Sequence, residues 1–291
     1  MLLNALRNNR HGCVVCVFDT TDRVQHMFWR YREGDHPANS GKESSAFREA
    51  VEDAYEQADA LIGKVVSGLR DRETLIVLSD HGFKSFRRGA NVNAWLKEHG
   101  YLCLRPGTAG ETEWLRDVDW DRTRAYGIGL GGMYLNIQGR EAHGTVPRDE
   151  AGALKRELIE RLTGLLDEET GQVAVIRVFD TAEVNPGPYA DSGPDLAIGY
   201  APGYRASWDA AQGKVAGPVI EDNTRRWSGD HCLDPDGVPG VLFVNRQVEA
   251  SGARIMDIAP TILDLFGIRA PTYMQGRSLL AASGKDERDR A

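Results

Sequence analysis

The stretch TLIVLSDHGF, Thr74 to Phe83, runs through apolar residues, ends on an acid beside an imidazole, and turns at once on Gly82. A short continuous apolar run bounded by turn residues is the pattern of a strand covered on both faces. Asp80 and His81 therefore stand at a strand end. Two readings are open there: a plain turn, in which Asp and Gly are common and the His is incidental, or a metal site at the tip of a sheet.

Working outward, GCVVCVF (12–18) reads as another buried strand, followed by a helix over about 44–70 whose apolar stripe includes Val51, Ala54, Ala58, Ile62 and Val65. A short helix begins near Asn91 and has Gly100 where a C-terminal cap belongs. YLCL (101–104) predicts a strand, and 105–125 is polar and irregular. MYLNI (133–137), VAVIRVF (173–179), DLAIGY (195–200) and GVLFVN (240–245) read as strands. Helices are expected over 149–166 and from a cap at Asp257 to Gly267. Buried strands alternating with amphipathic helices predict an α/β fold, a mainly parallel sheet with helices on both faces. No repeat or linker divides the chain, so one domain is expected over 1–282, with 283–291 a disordered tail.

At 291 residues the chain can bury a core, and its composition is ordinary for a globular protein. The net charge of -8 opposes a general nucleic-acid coat but not a phosphate-ester substrate, because bound cations would reverse the sign locally. No run reaches the roughly 18–20 apolar residues of a membrane span. Cys13 and Cys16 form a CxxC, but on a strand residues three apart face opposite ways. Four cysteines without a disulfide framework fit a reducing compartment, and a cytoplasmic location is the expectation.

In sheets of this kind ligands gather outside the carboxyl ends of the strands. Three such places carry metal-type donors. In VFDTTDRVQHMFW, Asp22 and His26 are four apart and share one face if the segment turns helical. The plainer reading has Thr20, Thr21 and Asp22 open a helix against which His26 packs. Asp80-His81 is the second place. The third is WSGDHCLDPDGVPGVLFV, with His231 in a glycine-rich loop and Asp230, Asp234 and Asp236 nearby, although Asp-Pro-Asp-Gly is also an ordinary turn. Of seven histidines, these three lie beside an acid next to a predicted strand. His36 in GDHPANS reads as part of a surface loop.

DTTDRVQH, LSDHGF and SGDHCLDPDGVPGVLFV, in this order and followed by IMDIAPTILDLFGIRAPTYMQGRSL, resemble the type I phosphodiesterase/nucleotide pyrophosphatase family of the alkaline phosphatase superfamily. The resemblance implies an alkaline-phosphatase-like α/β/α sandwich and hydrolysis of phosphodiester or pyrophosphate bonds in a nucleotide or other small phosphate ester. It also implies two divalent metal ions, zinc or manganese in its place. By motif, Asp22, His26 and His231 would hold one ion, and Asp80 and His81 the other. Two cations clamping attacking and leaving oxygens suit in-line displacement at phosphorus. Carboxylates and neutral imidazoles are donors that such ions accept. Phosphomonoester hydrolysis, sulfate-ester hydrolysis and phosphoryl transfer are the alternatives within the superfamily. A non-catalytic metal-binding protein is the alternative outside it.

The sequence departs from the family at its start. A further metal-binding Asp and the nucleophilic Thr or Ser come, in the family, before the segment matching Asp22, whereas eighteen residues precede Asp19 here. The resemblance is therefore to the C-terminal part of a catalytic domain, completed by a missing N-terminal portion or a partner chain. Thr20 and Thr21 are weak substitutes because they sit within the first-ion motif.

Lesser signals remain. GIGLGG (127–132) fits GxGxxG literally but precedes a strand, so it is not a dinucleotide fingerprint. Lys84, Arg87 and Arg88 would meet a phosphate or lie in a solvated turn. Trp29, Trp95 and Trp227 would line a cleft or pack in the core.

Overall fold

A computed structural model describes residues 1–9, 11–41 and 45–280, and the predicted tail at 283–291 lies outside them. The chain forms two compact units, each assembled from separate pieces of sequence. Met1–Ala60 and Phe83–Pro239 make one; Leu61–Gly82 and Gly240–Ala291 make the other.

The larger unit is built on a strand that its composition hides. Lys84–Ala90 pairs antiparallel with Ile220–Asp222 and Gly229–Asp230, and parallel with Gly203–Ala206. KSFRRGA lacks the apolar run of a buried strand, so the sequence suggests a turn. Remote acids make the strand possible. Arg88 is buried against Asp167, Glu169 and Asp222, each at 2.6 Å. Arg87 pairs with Glu33 and Asp35, each at 3.0 Å. The expectation that these arginines meet a phosphate or lie in a solvated turn is corrected by those partners.

A second sheet runs in the order Ala125–Ile128, Gly132–Leu135, Leu196–Tyr200, Val175–Asp180, all antiparallel. GIGLGG is the hairpin joining its first two strands. Gly129 and Gly131 take φ of 78° and 157° there, a region that side chains avoid. The helix Ala151–Leu162 turns Leu154, Leu158 and Leu162 into the core, as the spacing predicts. Asn91 caps the helix Val92–Glu98 by accepting from Asn93 and Ala94, and Gly100 follows at φ 76°. Trp95 is core.

The fold is mixed α/β, but its sheets are mostly antiparallel, which corrects the mainly parallel expectation. Continuous apolar runs suggested parallel strands, yet Val175–Asp180 and Leu196–Tyr200 are joined by a turn-rich connection and lie antiparallel. YLCL forms only an isolated bridge, Leu104 to Val118, although Tyr101 and Leu102 are buried. GCVVCVF is likewise no strand. It has no ladder partner among the described residues, and Val15 and Val17 are 77% and 86% exposed.

In the smaller unit Ile76–Leu78 pairs antiparallel with Leu242–Val244. Ile76, Leu242, Val244, Ile258, Leu265 and Leu279 line its apolar centre. Helix Ile258–Leu265 starts immediately after Asp257, where the cap was expected. The Asp257 carboxylate does not cap that helix; it accepts the backbone N–H groups of Arg277 and Arg254 at 2.8 and 2.9 Å. Among the described residues no helix is long and apolar enough to cross a membrane.

Candidate metal centre

The segment after Phe18 does turn helical. Helix Thr20–Arg32 carries Asp22 and His26 four residues apart on one face, as expected. Its seat is the strand Gly229–Asp230. A Cβ at Gly229 would stand 2.5 Å from the Gln25 carbonyl oxygen and 2.9 Å from Trp29 Cβ, so only glycine allows this approach. Ser228 clasps the helix at the same level: its N–H donates to His26 O at 2.7 Å, and its Oγ accepts from Arg30 N–H at 3.0 Å.

This seat fixes the His26 ring. Nδ1 lies 2.8 Å from Gly229 O, so it carries the proton and Nε2 presents a lone pair. The imidazole stacks on Trp227 at 3.8 Å between centroids and meets the edge of Phe83 at 4.6 Å. Asp22 Oδ1 lies 3.5 Å from His26 Nε2 and 3.8 Å from His231 Nε2. Asp22 Oδ1 thus lies within 4 Å of an imidazole nitrogen from each of two segments some two hundred residues apart.

In chemical type the donors suit a zinc-type ion. Ligand bonds of 2.0–2.1 Å in a tetrahedral shell place donor atoms roughly 3.3 Å apart. The two separations here are a few tenths of an ångström wider, and a carboxylate with two imidazoles is a common zinc donor set. Asp22 stands within 4 Å of both His26 and His231, but the three donor atoms do not all lie within 4.8 Å of one another.

Asp80 and His81 belong to the smaller unit, directly after the strand Ile76–Leu78. His81 Nε2 lies 3.6 Å from Asp80 Oδ1, and the His81 N–H donates to the same oxygen at 3.2 Å. His81 Nδ1 is 3.0 Å from Gly82 O, which again leaves Nε2 as the outward donor. The pair offers two donor atoms on one side of a turn, with Asp80 79% exposed along its side chain.

The neighbours of His231 divide by role. Asp230, His231 and Cys232 bring three donor atoms close together. Asp230 is already spent, however. Its oxygens accept His231 N–H, Cys232 N–H, Trp227 Nε1–H and the guanidinium of Arg205. Burial raises its pKa, but the charge and hydrogen bonds of Arg205, with those of Cys232 and Trp227, outweigh that and draw it down to about 2. Burial pushes the Cys232 thiol up to about 12, with Asp230 adding to the rise. Asp234 holds Arg177 and caps the Pro235–Gly237 turn, the ordinary reading of Asp-Pro-Asp-Gly. His36, expected on a surface loop, is buried. Nε2 donates to Phe86 O at 3.0 Å, Nδ1 accepts from Ala38 N–H at 3.1 Å, and burial lowers its pKa.

Sequence reading missed Gly229, Ser228, Trp227 as a ring support, and Arg205. Each acts through a partner distant in sequence, and only the proximity of Trp227 and Gly229 to His231 gave a signal.

A family model, Type I phosphodiesterase / nucleotide pyrophosphatase, matches residues 1–230. The match contains Asp22, His26, Asp80 and His81 and stops one residue before His231. No curated protein matches the chain. With 230 of 291 residues matched, the chain belongs to the type I phosphodiesterase/nucleotide pyrophosphatase family, hydrolases of phosphodiester bonds in nucleotides and related phosphate esters.

Proposed function

We propose that the chain serves a metal-dependent hydrolase that cleaves phosphodiester or pyrophosphate bonds by in-line attack at phosphorus. In this reading Asp22, His26 and His231 hold one divalent ion, and Asp80 and His81 hold a second by motif. Zinc is the first choice, with manganese in its place. The convergence of Asp22 Oδ1 with the Nε2 atoms of His26 and His231 is the observation that carries the reading.

When bound, such ions neutralise charge on the attacking and leaving oxygens and polarise the phosphoryl group. The chain's own residues supply the rest. Gly229 O fixes the tautomer in which His26 donates a lone pair. Trp227 and Phe83 wall that imidazole from water. Asp22 places its carboxyl group within 4 Å of both rings. Cations are needed because a chain of net charge -8 otherwise repels a phosphate ester. Thr20 and Thr21 form the first turn of helix Thr20–Arg32 and are not assigned as nucleophile. That hydroxyl is assigned to a segment outside these motifs.

The test is metal content per chain after zinc or manganese loading and desalting, beside His231→Ala, with hydrolysis of a chromogenic diester, monoester and sulfate ester followed in parallel. At least one retained ion, lost in His231→Ala, and diester turnover lost in Asp80→Ala are the expected results. No ion retained by the unaltered chain would sink the metal reading. Preference for the monoester or sulfate ester would move the substrate class.

A further inference from the structure

We propose that Asp230 is a positioning residue that aims both histidines of the Asp22–His26–His231 site; the inference rests on the metal reading above. Asp230 is turned inward against Arg205. Its side chain is 3% exposed and its partner Arg205 is 1% exposed, with 2.5 Å between Arg205 Nη1 and Asp230 Oδ2. The guanidinium lies 4.3 Å from the ring centres of both Phe86 and Trp208, and Arg205 Nε donates to Ala206 O at 3.0 Å. The carboxylate is thereby held by the sheet itself, because Arg205 lies on the parallel strand Gly203–Ala206.

From that fixed point Asp230 reaches each histidine by a separate route. Oδ1 accepts His231 N–H at 2.8 Å and Cys232 N–H at 2.9 Å, which sets the backbone from which the His231 ring projects. Oδ2 accepts Trp227 Nε1–H at 2.8 Å, and the same indole stacks on His26. Asn223 steadies the other side of that residue by donating to Trp227 O at 2.7 Å. One carboxylate thus governs the loop of one histidine and the ring plane of the other.

Stability alone is a poor explanation for this arrangement. A buried ion pair adds little over a well-packed apolar pair of the same volume, because desolvation opposes the attraction. What the pair does supply is direction: four donors around one carboxylate leave the two rings little freedom, and outer partners of metal ligands are known to act in this way.

Asp230→Asn keeps one carbonyl-type oxygen for the 231 and 232 N–H groups but loses the second acceptor. Trp227→Phe keeps an aromatic ring against His26 and loses only the indole donor. Zinc affinity, read by competition with a chromophoric chelator, is expected to fall roughly 10–100-fold in Asp230→Asn. The expected fall in Trp227→Phe is about fivefold, the worth of one hydrogen bond of about 1 kcal/mol. The visible spectrum of the cobalt-loaded chain should shift in both, since ligand direction changes. Asp257→Asn, a carboxylate that holds backbone N–H groups in the other unit, should leave affinity and spectrum unchanged. If Asp230→Asn fails to fold, Trp227→Phe decides alone. Zinc affinity and cobalt spectrum equal to the unaltered chain in whichever variants fold would overturn the positioning role while leaving the metal reading intact. No zinc bound by the unaltered chain would overturn both.

Discussion

The two sets of predicted ligands are built differently. Asp22, His26 and His231 are braced from far away in sequence: His26 by Gly229 O, helix Thr20–Arg32 by Ser228, and the His231 loop by Asp230 and Arg205. Asp80 and His81 make close polar contacts with each other and with Gly82. The first set is therefore preorganised by the fold, at the cost of depending on it. The second carries a largely exposed carboxylate at the end of a short strand.

The largest expected effect falls on the brace of the first set. Arg205→Leu leaves Asp230 buried without its counter-charge and should lower unfolding free energy by about 3–5 kcal/mol in urea titration. A loss under 1 kcal/mol would mean that the pair is solvated and the bracing argument fails. Ser228→Ala removes the acceptor for Arg30 N–H in a fully buried position and should cost about 1–2 kcal/mol by the same titration.

A pH dependence tests the same unit away from the ligands. The buried His36 is neutral, donating from Nε2 and accepting at Nδ1; a second proton would set two N–H donors against each other at Ala38. Its folded pKa lies below the ordinary 6.5, so the unfolded chain takes up the proton first. The contribution is fully present above about pH 6.5 and is lost as pH falls toward the folded value. His36→Gln should flatten the slope of stability against pH below 6.5; an unchanged slope would assign it to other groups. The smallest effect belongs to the second set. Asp80→Ala, largely exposed, should shift stability within about 0.5 kcal/mol in the absence of metal. A larger loss would show that this turn is held by more than itself.

The contrast also explains what the sequence disclosed. The pairing of Asp22 with His26, the Asn91 cap and the leucine face of 151–162 all follow from spacing along one helix, which a linear reading measures directly. The central strand Lys84–Ala90 stayed hidden because its arginines are neutralised by acids 52 to 134 residues away. His36 looked like a loop residue because the carbonyl that buries it, Phe86 O, lies on that hidden strand. GCVVCVF misled for the opposite reason: apolar composition announces a strand only where a neighbouring strand receives it, and none does among the described residues. The spacing of the candidate donors was legible; most of what surrounds them was not.

The stacking of Trp227 on His26 gives the chain its own optical reporter. Donation of the His26 lone pair to a cation withdraws electron density from a ring in face contact with an indole, and indole emission responds to such a neighbour. Trp227 is one of six tryptophans, so replacing it isolates its share of the signal. If His26 holds an ion as proposed, its capture would be read by fluorescence in the unlabelled protein, in real time and without a chelator.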